Sequence, residues 1–303
     1  MVGADYWLWR FRSYVQLMRP KFLVASLLVF IIGMLAADPH PDWGSYVTWA
    51  GLASVMLVQM SAGLINEYAD WRGDRFSRRT FFAGGSGMIS SARASPGAAL
   101  GLAMISGALA LWAAFYIHTV SERDQFIYLI TIGLALCWAY SLRPFRLVST
   151  GAGEMMVAAL IGFLLPLTGT YLASGGMDIH WQYSVPLFLF SWAMVIAVSY
   201  PDRQADIRSG KRNLVYRVGI RRAAAFQALV SFIGFGTLAA MFIMGQLGIW
   251  ALLPFVLLPF VWAAATVMSL SKNYDHDQAG IASAAVTSAL VVLMASLLLD
   301  LLI

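Results

Sequence analysis

Asn66, Asp70 and Asp74 follow one another at intervals of four in the stretch "NEYADWRGD". On a helix that spacing puts three oxygen-bearing side chains on one face. Carboxylates at this spacing repel, weakly in water and more strongly when desolvated. The arrangement returns 132 residues later, from Asp70 to Asp202, where Asp202 and Asp206 stand in "SYPDRQADIRSGKRNL". Two such pairs can close on one ligand from opposite walls. With no histidine or thiolate nearby they form a hard oxygen set, suited to Mg2+, which binds one or two carboxylates together with substrate phosphates. Bases and glycines crowd the same places: Arg72, Arg78, Arg79 and "GGSG" (Gly84 to Gly87) after the first pair, Lys211 and Arg212 after the second. Cationic side chains and backbone N–H groups in glycine turns bind phosphate. A third stretch, "YSLRPFRLVSTGAGE", runs from Tyr140 to Glu154 and adds Ser141, Arg143 and Arg146. Glu154 suits the first turn of a helix, where a negative charge is favourable.

The elements that must hold these groups are membrane helices. The chain has 303 residues, of which 60% are hydrophobic and only 12% charged, about half the charge of a soluble domain. Nine apolar segments of bilayer-spanning length are expected, at about 22–38, 47–65, 97–117, 125–141, 153–173, 184–200, 223–244, 249–270 and 281–302. No ten-residue alternation typical of a β-barrel is visible. The expected fold is all-α: one polytopic bundle, a single domain over 1–303 with no soluble module. The first apolar run follows Pro20 and is long enough to span, so no cleavable leader is expected. Residues 4–19 mix Trp7, Trp9, Phe11 and Tyr14 with Arg10, Arg12 and Arg19, the pattern of a helix lying in the interface. Pro201 is expected to break or kink the sixth span.

With nine spans, nineteen of the twenty Lys and Arg residues fall on one side, Lys272 among them, and only Arg123 falls on the other. By the positive-inside rule the N-terminus and the acidic clusters are cytoplasmic and the C-terminus is outside. The net charge of +5 reports this orientation and not nucleic-acid binding. Cys137 reads as a small buried hydrophobe. His40, His118 and His180 fall on the far side and His276 in a separate loop, with no zinc spacing.

Either acidic pair alone could be a solvated helix cap with surface ion pairs of little worth. Two pairs at matching helix ends on one side favour a shared site. A transporter would place charge near the midplane on interrupted helices, whereas here the middles of the spans are nearly free of charge.

These motifs resemble the UbiA superfamily of intramembrane prenyltransferases. "NEYADWRGD" is similar to its first Asp-rich motif and "PDRQADIRSGKRNLVYRVG" to its second. "MRPKFL", "RRTFFAGGSG" and "YSLRPFRL…GAGE" match further stretches in order. The GGSG loop, the Pro-Asp and the Gly-Lys-Arg resemble the 1,4-dihydroxy-2-naphthoate (menaquinone) prenyltransferase group. Val198 and Ser199 depart from that group, in which Asn and Glu are common. The resemblance implies transfer of a polyprenyl group from an isoprenoid diphosphate to an aromatic quinone precursor, with two Mg2+ ions. The alternatives are a terpene cyclase using the same diphosphate site, or a prenyltransferase whose acceptor is a non-aromatic membrane lipid. It further implies Asn66, Asp70, Asp74, Asp202 and Asp206 as metal ligands, with Asp74 also a candidate base. Lys21, Arg72, Arg78, Arg79, Arg146, Lys211 and Arg212 become candidates for the diphosphate, and Tyr140 and Ser141 for the ionising end.

Overall fold

A computed structural model describes residues 4–80, 82–270 and 275–303, with side chains from Leu8 onward. Phe81 and Lys272, and the side chain of Trp7, lie outside the described residues. Every regular element among the described residues is helical. They are α1 (Ala4–Leu17), α2 (Pro20–Ala37), α3 (Tyr46–Asp74), α4 (Pro96–Val120), α5 (Phe126–Ser141), α6 (Gly153–Ser174), α7 (Trp181–Ser209), the short α8 (Leu214–Val218), α9 (Ile220–Ile243), α10 (Ile249–Leu270) and α11 (His276–Leu302). Eight of them are long and apolar enough to cross a membrane, and the shorter apolar α5 stands where the fourth span was expected. In α1, Leu8, Trp9, Phe11 and Val15 are exposed while Ser13 and Leu17 are buried, so one face meets the protein and the other is available to the interface.

Lipid provides little hydrophobic drive between helices, so the bundle closes through small residues and side chain to backbone bonds. Ala99, Ala103, Ala110 and Ala114 of α4 are fully buried. Against them Ser61 Oγ of α3 donates to the Ala103 carbonyl at 2.7 Å and Ser54 Oγ to the Ala110 carbonyl at 3.1 Å. The α2–α6 crossing is tighter still. A Cβ on Gly33 would sit against the Pro166 backbone, and one on Gly169 against the Phe30 carbonyl. Thr170 Oγ1 donates across the same crossing to the Gly33 carbonyl at 3.0 Å. Partway along α6, Leu160–Leu164 form a π turn, in which the Leu165 N–H reaches back to the Leu160 carbonyl.

Two helices overrun their apolar segments. α3 continues to Asp74 and α7 to Ser209, each about nine residues beyond the expected span. The expected break at Pro201 is not found: α7 is helical through it. Proline removes one N–H, and in a membrane helix neighbouring groups and packing make up for the loss. The helix ends instead at Gly210, whose φ of 69° is left-handed and whose N–H returns to Asp206 and Ile207.

Arg123, the one base assigned to the far side, has a structural task. Its Nε and Nη2 donate to the Leu172 and Ala173 carbonyls at 2.9 and 3.1 Å, closing the end of α6. Arg123→Ala should lower stability by roughly 1–3 kcal/mol and leave substrate affinities unchanged. Thermal unfolding in detergent beside steady-state kinetics checks both.

Candidate active site

The overruns of α3 and α7 carry the two acidic pairs past the apolar spans, and they meet. Asn66, Asp70 and Asp74 from α3 and Asp202 and Asp206 from α7 line one cavity of about 340 Å3, together with Tyr140, Ser141 and Lys211. Its walls on α3 run from Val55 to Asp74, roughly 28 Å of helix at 1.5 Å per residue. Away from the acids the lining turns apolar, with Leu129, Ile130, Leu160, Leu164 and Val195 among it. The cavity is a slot with a charged mouth and a greasy shaft.

Lys211 joins the two pairs. Its Nζ donates to Asp70 Oδ2 at 2.9 Å and lies 3.9 Å from Asp206 Oδ1. Arg146 Nη2 stands 4.0 Å from the other oxygen of Asp70. Burial alone would lower the pKa of Lys211, but Asp70 and then Asp206 outweigh it and hold the ammonium well above its ordinary range. Lys211 therefore stays charged at neutral pH. Asn213 Nδ2 donates to Asp206 Oδ2 at 2.6 Å, and Asn213 Oδ1 caps α8 by accepting from the Tyr216 N–H. Ser141 Oγ lies 3.4 Å from Asn66 Oδ1.

The glycine loop folds over the mouth and is held by acids. Ser77 Oγ donates to Asp202 Oδ1 at 2.5 Å, and the Gly84 N–H donates to Asp202 Oδ2 at 3.0 Å. Glu67, only 2% exposed, accepts from the Ser86 N–H and hydroxyl at 2.6 and 2.7 Å. Gly84, Gly85 and Gly87 all have positive φ. A Cβ on Gly85 would meet the Asp74 carboxylate, and one on Gly87 the Arg79 guanidinium, so glycine is required twice over.

Not every expected base faces the cavity. Arg79 donates to the Gly87 carbonyl and to Ser90, inside its own loop. Arg78 is exposed and pairs with Asp277 at 3.6 Å, while its carbonyl lies 2.7 Å from His276 Nε2. His276 thus begins α11 and touches the glycine loop. Arg72 stacks over Trp71, Arg212 is exposed, and the Lys21 ammonium lies 5.2 Å from the Phe22 and Phe82 rings. In their place Arg19 lines the cavity, 3.8 Å from Glu67. Glu154, expected as a first-turn charge, stands in the first turn of α6; it is buried there and accepts from the Leu214 N–H at 2.7 Å. It fixes the segment after Lys211. Glu67 lies one residue off the Asn66–Asp70–Asp74 face, which hid its role. Asn213 carried a visible N-cap signal.

Among the described residues no three acidic, histidine or cysteine side chains converge on one point to cage an ion unaided. The donor set of four carboxylates and one amide oxygen around one cavity still fits Mg2+, which leaves coordination positions for phosphate oxygens.

Comparison with known proteins places this architecture. The chain is 23% identical over 246 residues to 1,4-dihydroxy-2-naphthoate octaprenyltransferase of Bacillus subtilis, covering 80% of this chain and 78% of that one. It is 26% identical over 247 residues to digeranylgeranylglyceryl phosphate synthase of Thermococcus gammatolerans, covering 78% and 79%. In three dimensions it is similar to a UbiA homologue from Archaeoglobus fulgidus, whose structure was solved with DMAPP and Mg2+. The TM-score is 0.62 at 18% identity, over 93% of this chain and 99% of that one. The sequence pattern of the UbiA prenyltransferase family matches residues 26–286. The chain belongs to the UbiA prenyltransferase family, enzymes that transfer prenyl groups to acceptors.

Proposed function

We propose that the whole chain is one prenyltransferase domain that transfers a polyprenyl group from an isoprenoid diphosphate to an aromatic quinone precursor, releasing diphosphate. The observation that carries this reading is Lys211, which links one carboxylate of each pair at the mouth of a long apolar slot. The mouth suits the diphosphate and the shaft suits the tail. The name of the Bacillus relative supports an aromatic acceptor.

Asn66, Asp70, Asp202 and Asp206 would hold two Mg2+ ions, with Asp74 beside them as the base. When bound, the metal neutralises charge gathering on the leaving diphosphate. The protein's own groups do the rest. Lys211, Arg146 and Arg19 bind diphosphate oxygens, and the loop from Gly84 to Gly87 shields the mouth from water. The C1–O bond breaks with its electron pair leaving on diphosphate. Tyr140 and Ser141 face the allylic cation so formed, and the π face of Tyr140 favours positive charge. A ring carbon of the acceptor attacks that cation, and Asp74 takes the proton that the ring then loses.

The test is product analysis with purified protein, radiolabelled prenyl diphosphate and a panel of phenolic and naphtholic acids. Radiolabelled aromatic product is expected with Mg2+ or Mn2+ and none after exhaustive chelation. Full turnover in EDTA would overturn the metal assignment, and cyclised hydrocarbon as the sole product would show a cyclase.

We further propose that the acidic mouth faces the cytoplasm, because nineteen of the twenty bases fall on that side when the nine spans are threaded. In a Cys137→Ala background, single cysteines at positions 79 and 212 should be protected from an impermeant thiol reagent in intact cells and label after permeabilisation. Labelling from outside would reverse the orientation.

A further inference from the structure

Below the acidic mouth the slot is interrupted by one polar pair. Ser26 of α2 and Gln59 of α3 both line it, and Ser26 Oγ donates to Gln59 Oε1 at 2.9 Å. That bond engages the oxygen of the amide and leaves its nitrogen, with two N–H donors, for another partner. The neighbouring hydroxyls bond their own helices. Thr168 Oγ1 donates to the Leu164 carbonyl at 2.6 Å and Ser199 Oγ to the Val195 carbonyl at 3.1 Å. Gln59 stands seven residues before Asn66 on the same face of α3, two turns and roughly 10 Å deeper.

An amide in an apolar cavity is unfavourable unless something bonds it. A prenyl tail offers no acceptor atom. An aromatic substrate does, since its ring carries oxygens. The first units of the tail and the acceptor ring share the upper part of the slot: with the reacting carbon near Tyr140 and the diphosphate, the opposite edge of a one- or two-ring acceptor reaches toward the depth of Gln59.

We propose that Gln59, oriented by Ser26, donates a hydrogen bond to an oxygen on the acceptor ring at the edge away from the prenylated carbon. This pair is the specificity contact for acceptor. The inference rests on the aromatic-acceptor reading above. It explains why a shaft otherwise built for hydrocarbon keeps an amide whose oxygen is already occupied.

The experiment is steady-state kinetics on the purified protein and on Gln59→Leu and Ser26→Ala, with an oxygenated acceptor and an analogue lacking the distal oxygen. Gln59→Leu should raise the acceptor KM roughly 10- to 100-fold and leave the KM for prenyl diphosphate and the melting temperature unchanged. Ser26→Ala should give a smaller rise, because the amide is intact but no longer oriented. Wild type should discriminate between acceptor and analogue by the same factor, and Gln59→Leu should not discriminate. An unchanged acceptor KM overturns the inference while the transferase function stands. A change confined to the prenyl diphosphate KM also overturns it and gives Gln59 to the tail. If wild type prenylates no aromatic acceptor, the function and the inference fall together.

Discussion

Asp70→Asn and Asp202→Asn should each reduce turnover by at least roughly 100-fold, the order seen when one preorganised group facing transition-state charge is removed. The two residues come from different helices, 132 positions apart in sequence (70 to 202), yet line one cavity. If both hold the same diphosphate through metal, the double variant should lose far less than the product of the single losses, because groups acting as a unit are not additive. Stability should fall only slightly. Asp70→Asn weakens the 2.9 Å contact with Lys211, although Asp206 remains 3.9 Å away to pair with it. Asp202→Asn keeps one acceptor oxygen for Ser77 or the Gly84 N–H. Initial rates and melting temperatures for wild type, both singles and the double decide the matter. Near-normal turnover in either single variant would remove that aspartate from the catalytic site. A full multiplicative loss would show two independent sites.

The other large effect is expected at the α2–α6 crossing. Gly169→Val should unfold the protein at a markedly lower temperature and abolish activity. At Gly169 a Cβ meets the Phe30 carbonyl and lies 2.9 Å from the Met34 nitrogen. The obstacle is backbone, so no rotamer change relieves it and the helices must part. Even alanine there should cost about 1–3 kcal/mol or more, and the larger valine should cost more than alanine. Separation of α2 from α6 also moves the cavity wall that α6 provides through Leu160 and Leu164. Gly101 is the control. Nothing lies within 4 Å of a Cβ built there, and Gly101→Ala should be neutral or stabilising, since alanine is the better helix former by about 1 kcal/mol. Equal melting temperatures for the Gly169 and Gly101 variants would contradict the close approach.

The spans and the shared face of Asn66, Asp70 and Asp74 on α3 could be read from the chain because both rest on periodicity. Apolar length sets a span, and a four-residue interval sets a helix face. What the sequence hid depends on where the backbone turns. The helices α3 and α7 continue past the last apolar residues because helix hydrogen bonding does not stop at the membrane boundary, and Pro201 does not stop it either. The choice among bases was hidden for a similar reason. Arg19 sits at φ 53° and Arg146 at φ 40°, left-handed positions that a sequence does not announce and that redirect the chain beside the acids. Arg79 is adjacent to Arg78 in sequence, yet the bend at Gly87 leaves room for its guanidinium within the loop. Charge counting shows that bases are near the acids. Loop geometry decides which of them enter the cavity.

The π turn at Leu160–Leu164 has the character of an extra residue placed inside α6. One residue advances an α-helix by about 100°, so the turn offsets the azimuth of one half of α6 from that of the other. The near half aims Glu154 at the Leu214 N–H, and the far half aims Gly169 and Thr170 at α2. Deleting one residue between 160 and 164 would restore an unbroken helical phase and rotate one set of contacts away from its partner. The insertion thus acts as a coupling with a fixed angular offset, letting a single helix serve the segment that presents Lys211 at one end and the tight crossing with α2 at the other.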